Sequence, residues 1–144
     1  MLRAAALTAL LAVAGAAGAC GVCVEDKMAA VYDHAVVTRA LAQKHHVAFF
    51  HIEGTLTPGE AARRALEALA GSVAGVDKGT SRVSVDSAAL SIAFDPKRTP
   101  VAGLQNVLER KLAAKKISLM LLQVMDRPAE FSPSVTRALR AAGR

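Results

Sequence analysis

Along residues 24–43, VEDKMAAVYDHAVVTRALAQ, the apolar side chains Val24, Met28, Val31 and Ala35 recur at spacings of four, three and four. That is the period of a helix. Glu25 and Asp26 would stand in its first turn, where they complement the helix dipole, and Lys44-His45-His46 ends it. Residues 46–53, HVAFFHIE, read as a strand, and Gly54 to Thr57 as a turn. Thr57-Pro58-Gly59-Glu60 then has the form of a helix start. Thr57 caps, Pro58 fits the first helical position, and Glu60 completes a capping box. The helix that follows is expected to bury Ala62, Ala65, Leu66 and Leu69 and to stop near Gly71, with Val73, Gly75 and Val76 finishing the connection.

Val83 and Val85 alternate with polar neighbours, as do Leu90, Ile92 and Phe94. Residues 81–86 and 88–95 therefore read as a hairpin. Thr99-Pro100 opens another helix by the same logic of cap then proline, with a stripe of Val101, Leu104, Leu108 and Lys111 or Leu112. Residues 117–125, ISLMLLQVM, form the last strand. Its continuous apolar run predicts burial on both faces. Beyond Arg127 come two prolines and a short helical stretch near 135–141, read as a mobile basic tail over 127–144.

From residue 46 the order is strand, helix, strand, strand, helix, strand. This predicts an α+β fold: a ferredoxin-like β-α-β-β-α-β sandwich over 46–126 with an extra N-terminal helix. Both sandwich helices pack on one face of such a sheet. Val47 and Phe49, with Ala89, Ser91 and Ala93 opposite, would be left on the other. An open apolar face of that size promotes association. Either the helix over 24–43 covers it or a second copy does, giving a homodimer through that face.

The first residues have a different logic. Met1-Leu2-Arg3 is a short basic start, residues 4–14 are apolar apart from Thr8, and Ala17-Gly18-Ala19 suits a signal peptidase. That pattern predicts a secretory signal peptide over 1–19, cleaved before Cys20. The apolar run is too short for a membrane helix, which takes about 20 residues, and no later segment is long and uncharged enough. The mature protein is expected to be periplasmic or secreted. Acylation of Cys20 as a lipoprotein is the weaker reading, because Ala17 stands where such leaders usually carry leucine.

The whole chain carries a formal charge of +6, and Arg3 leaves with the leader. Much of the remaining excess is in the tail, where Arg127, Arg137, Arg140 and Arg144 face one acidic residue, Glu130. A nucleic-acid surface calls for a basic patch interleaved with aromatic rings. The tail has only Phe131, so a solvated tail is the better reading and nucleic acid is not an expected partner.

Residues 46–125 resemble a heavy-metal-associated domain, the fold of copper chaperones and of the N-terminal domains of metal-transporting ATPases. The first strand ends Ile52-Glu53-Gly54, the next helix reads Ala61-Ala62-Arg63-Arg64-Ala65-Leu66, and Gly75-Val76 closes the connection. The resemblance covers a little over half of the chain. It implies the ferredoxin-like fold, a soft-metal cargo and a metal-donor or metal-acceptor protein as partner. In that family the first strand leads into Gly-Met-x-Cys-x-x-Cys. Here Thr57 and Glu60 stand at the two cysteine positions, so the family's metal ligands are absent from this loop.

The chain does have a Cys-x-x-Cys. Cys20 and Cys23 are its two cysteines, and they stand at the predicted mature terminus, just before the first helix. A bridge between them would close a very small loop and add little stability. Chemistry therefore explains the pair better than structure does. Two thiolates at this spacing can grip Cu(I), which wants soft ligands. The amides of a helix start favour the thiolate form. His34, His45, His46 and His51, with Met28, Met120 and Met125, are the remaining soft or borderline donors, each read first as a surface or strand-face residue.

The chain is thus read as an exported soft-metal protein, with Cys20 and Cys23 as ligands and Cu(I) as the ion. A periplasmic thiol-disulfide exchange protein is the alternative, and a non-catalytic interaction module with oxidised cysteines the third. The sequence has no Ser-His-Asp grouping, no paired carboxylates in a cleft-like context and no glycine-rich phosphate loop, so an enzyme is not expected.

Overall fold

Every side chain from Val47 to Phe50 is buried, so the first strand has packed core on both of its faces. The structure is a computed structural model that describes the backbone of residues 19–128 and the side chains of residues 24–128. The expected leader, apart from Ala19, and the expected short helix near 135–141 lie outside the described residues. The elements are α1 (Ala19–Ala30), α2 (His34–Ala42), β1 (His46–Glu53), α3 (Glu60–Gly71), β2 (Arg82–Ser84), β3 (Ala89–Phe94), α4 (Val101–Leu112), a 3-10 turn (Ala113–Lys115) and β4 (Ser118–Met125).

The four strands form one antiparallel sheet in the order β2-β3-β1-β4. With α3 and α4 on one face, this is the ferredoxin-like arrangement expected from the element order. On that face Ala48, Phe50 and Ile52 of β1 and Leu90, Ile92 and Phe94 of β3 meet Leu66 and Ala70 of α3 and Leu104, Leu108 and Leu112 of α4. Ala65, expected in the core, is exposed instead.

The other face is covered from within the chain. Val47, Phe49, Ala89, Ala93 and Met125 pack against Val31 and against Val36, Val37 and Ala40 of α2, with Met28 of α1 at the margin. The helix expected over 24–43 is therefore present in function but divided in two. The break is at Asp33, whose backbone is extended (φ −119°, ψ 108°) and whose carboxylate accepts the Val36 amide at 3.1 Å. An aspartate in this position satisfies the free amides at the start of a helix, so α2 begins afresh at His34. Because α1 starts at Ala19, Glu25 and Asp26 stand beyond its first turn, contrary to expectation.

Two other starts differ from expectation. The capping box of Thr57 and Glu60 does not form. Gly59 is the cap residue of α3, with φ 109° and no side-chain cap bond. This turn puts Thr57 two residues outside the cap, beyond reach of the third helical amide. At α4, Pro100 rather than Thr99 is the cap residue, again without a side-chain bond.

β4 is also different. It was expected to be buried on both faces, yet it is an edge strand with Met120 and Leu121 exposed. Phe49 pairs with Gln123 and Phe50 with Leu121, so Leu122 is an extra residue that bulges the strand. A bulge twists an edge and makes it a poor template for further pairing.

Candidate metal site

The loop from β1 to α3 occupies the position where the resemblance would put a thiol pair. Gly54 opens it with φ 116°, and a Cβ there would come within 2.5 Å of the Lys116 carbonyl oxygen. Glu60, the first residue of α3, is committed to arginines. Arg63 Nε donates to its Oε2 at 2.7 Å, Arg63 Nη2 also bonds its carboxylate, and Arg64 Nε donates to Oε1 at 2.9 Å. The Arg63 bond, then the Arg64 bond, pulls the Glu60 carboxyl down to about 2. Arg63 goes on to Glu67 at 2.6 Å, and Glu67 accepts the Val83 amide at 3.0 Å. The chain of ion pairs thus ties α3 to β2. Thr57 and Glu60 offer hard oxygen donors, one of them already neutralised, whereas a soft ion selects sulfur. The loop does not fit the ion.

Cys20 and Cys23, expected just before the first helix, are instead the second and fifth residues of α1, because that helix begins at Ala19. The course of that helix follows from its anchors. Lys27 Nζ donates to the Ser87 carbonyl at 2.9 Å, at the β2–β3 turn. Further along, the Val31 carbonyl accepts the Ser91 hydroxyl at 2.7 Å, in mid-β3. The chain from α1 into Val31 therefore advances in the direction of β3, and its first turn points past the β2–β3 turn. With a rise of about 1.5 Å per residue, Cys23 lies roughly 6 Å before Lys27 along the axis. That end of the sheet also holds the last residues of β1, the Gly54–Gly59 loop and the start of β4, since Ala89 and Met120 both pair with His51. The thiol-bearing turn and the altered loop thus share one end of the sandwich, the first on the α1 face and the second leading into α3.

The four histidines are dispersed. His34 is exposed at the start of α2, its Nε2 3.5 Å from the Thr38 hydroxyl. His45 Nδ1 is 2.8 Å from Asp77 Oδ2, and its Nε2 is 4.0 Å from Asp95 Oδ2. His46 meets the ring of Phe94 edge-on, with 5.9 Å between centroids. His51 Nδ1 is 2.9 Å from the Ala88 carbonyl. Among the described residues, no three His, Cys, Asp or Glu side chains converge on a point that could hold a metal ion. No helix among them is long and apolar enough to cross a membrane.

No protein-family model matches the chain, and no curated protein matches it. Its structure is similar to a copper-binding domain of the P-type ATPase HMA7, at 18% identity and a TM-score of 0.44, over 55% of this chain and 96% of that one. It is similar to oxidized MerP from Ralstonia metallidurans CH34, at 19% identity and a TM-score of 0.42, over 54% and 96% of the two chains. A third similar structure is the N-terminal domain of a potential copper-translocating P-type ATPase from Bacillus subtilis in its Cu(I)-loaded state. There the identity is 21% and the TM-score 0.44, over 60% of this chain and 99% of that one. These are likenesses of fold.

Proposed function

We propose that this chain is an exported, non-catalytic protein that binds Cu(I) between Cys20 and Cys23 and exchanges it with a partner protein. The observation that carries the reading is the placement of sulfur. The two cysteines stand three residues apart at the start of a helix fixed to the sheet by Lys27 and Ser91. The loop of the same end offers no thiol, and its glutamate is held by Arg63 and Arg64. Each thiol gives up its proton when the ion binds, so capture releases protons and weakens in acid. The positive end of the helix dipole complements the Cys20 thiolate, with Cys23 three residues further in. Release runs the other way, one thiolate at a time, as an incoming ligand replaces it.

The leader-like segment over residues 1–19 supports export to the periplasm or beyond. A protein that carries cargo in that compartment needs a thiol pair that stays reduced or is loaded before oxidation. The same placement of two cysteines also suits thiol-disulfide exchange, and the two readings separate cleanly. Titration with Cu(I) against a chromophoric chelator is the test. One ion captured per chain, and its loss in the Cys20→Ser, Cys23→Ser variant, is the expected result. Unchanged capture by that variant would sink the copper reading. Turnover of a model disulfide without copper capture would favour exchange.

A further inference from the structure

We infer that His51 and Met120 form a second, weaker soft-metal site on the α1 face of the sheet, beside the end towards which the thiol-bearing turn points. The two residues are direct cross-strand partners on β1 and β4. Residues opposite one another in an antiparallel pair share a face, with Cβ atoms about 4.5–5.5 Å apart. One ion can therefore be reached by both side chains.

Each side chain is already prepared for this. The His51 Nδ1 lies 2.9 Å from the Ala88 carbonyl oxygen. A carbonyl can only accept, so Nδ1 carries the proton, and in the neutral ring the lone pair is on Nε2. Metal-binding histidines are commonly oriented in this way, by a bond from the other ring nitrogen to a backbone carbonyl. Met120 is 47% exposed, the largest exposure of any large apolar side chain among the described residues. As a residue of the edge strand β4, Met120 faces water, and its thioether is open to an ion. The register sets the imidazole of His51 opposite it. That donor pair suits Cu(I) or Ag(I), and the thioether discriminates against hard ions such as Mg²⁺ and Ca²⁺.

Neither donor has to lose a proton from its neutral form, and the pair is uncharged. It therefore holds Cu(I) less tightly than two thiolates do. A weak neutral site next to a tight anionic one is an ordering suited to receiving an ion and passing it inward. That role rests on the thiol reading above, whereas the site itself does not.

Ag(I) serves as the probe, since it needs no reductant. It is added to the chain carrying Cys20→Ser and Cys23→Ser, while the methionine methyls and histidine rings are followed by NMR. The expected result is that the Met120 methyl and the His51 ring shift together and saturate at one equivalent. Met120→Leu, a change at an exposed site that leaves the fold intact, should abolish the His51 response. Shifts confined to other residues, no shifts at all, or a His51 response unaltered in Met120→Leu would overturn the proposal. The thiol reading is scored separately, by Cu(I) capture against the chelator in Met120→Leu with both cysteines present. Capture is expected to persist there, and its failure would mean that the thiols do not suffice.

Discussion

The hydroxyl of Ser91, in the middle of β3, donates to the carbonyl of Val31 at 2.7 Å, sixty residues away in the chain. Val31 follows the last residue of α1, where helix carbonyls lack partners of their own. This bond therefore both satisfies a buried acceptor and pins the N-terminal unit to the sheet. Ser91→Ala should cost about 1–3 kcal/mol, the penalty for leaving a buried polar group unpaired. Urea unfolding measures it. A loss indistinguishable from zero would mean that α1 is not held at this point.

Asp33 does two jobs, capping α2 through the Val36 amide and pairing with Arg82 at 2.8 Å. Asp33→Ala should cost about 1 kcal/mol for the cap, with a smaller part from the half-exposed pair. Asp33→Asn should keep most of the cap and lose the pair. The Val36 amide, aided by Arg82, holds the Asp33 carboxyl below its ordinary 3.8. The unfolded chain therefore takes up the proton first, and the contribution is complete above that ordinary value. It is lost as pH falls through the lowered one. The stability gap between wild type and Asp33→Asn should be flat near neutrality and shrink in acid, which unfolding curves at several pH values would show. A gap that widens in acid would contradict this assignment.

Gly54 and Gly59 have similar backbone angles, φ 116° and 109°, but different surroundings. A Cβ at Gly54 would meet the Lys116 carbonyl at 2.5 Å, while at Gly59 it would meet nothing within 4 Å. Gly59→Ala should cost about 1–3 kcal/mol from backbone strain alone. Gly54→Ala should cost clearly more, since backbone must move as well. Equal losses in thermal or urea unfolding would contradict the close approach of β1 and β4 at this turn.

If the loop is a structural joint, its polar residues should not affect copper. Glu60→Gln removes the charge that Arg63 and Arg64 share, and Cu(I) capture should stay at the wild-type level. A clear fall would put the loop back in the site. Because its carboxyl is drawn down to about 2, the Glu60 pairs should persist through mild acid. Their contribution to stability is complete above the ordinary 4.5 and is lost as pH falls from there through the lowered value.

Much of this architecture is legible from periodicity. The bounds of β1, His46–Glu53, follow from its apolar run and the flanking Lys44 and Gly54. The need for a cover over Val47 and Phe49 follows from the residues that a two-helix sandwich leaves exposed. The division of the N-terminal helix was harder to see, because Val31 and Ala35 keep the helical spacing across Asp33. The signal was present in Asp33 itself, a favoured cap residue inside an apolar repeat. Thr57 and Glu60 misled in the opposite sense, since capping residues at the right spacing were overridden by a positive φ at Gly59. The exposure of β4 is a property of strand order, which local sequence does not report. His51 and Met120 were separately visible as donors. Only the register of β1 against β4 makes them a pair.

If two thiols at the start of α1 hold copper and the chain is exported, the metal should travel with the mature polypeptide. Native mass spectrometry of the chain recovered from the periplasm of a copper-supplemented bacterial host tests it most directly. The expected species is a polypeptide beginning at Cys20 and carrying one copper ion, which is absent from the Cys20→Ser, Cys23→Ser variant. A polypeptide that begins beyond Cys23, or one in which the pair is oxidised and no copper is retained, would contradict it.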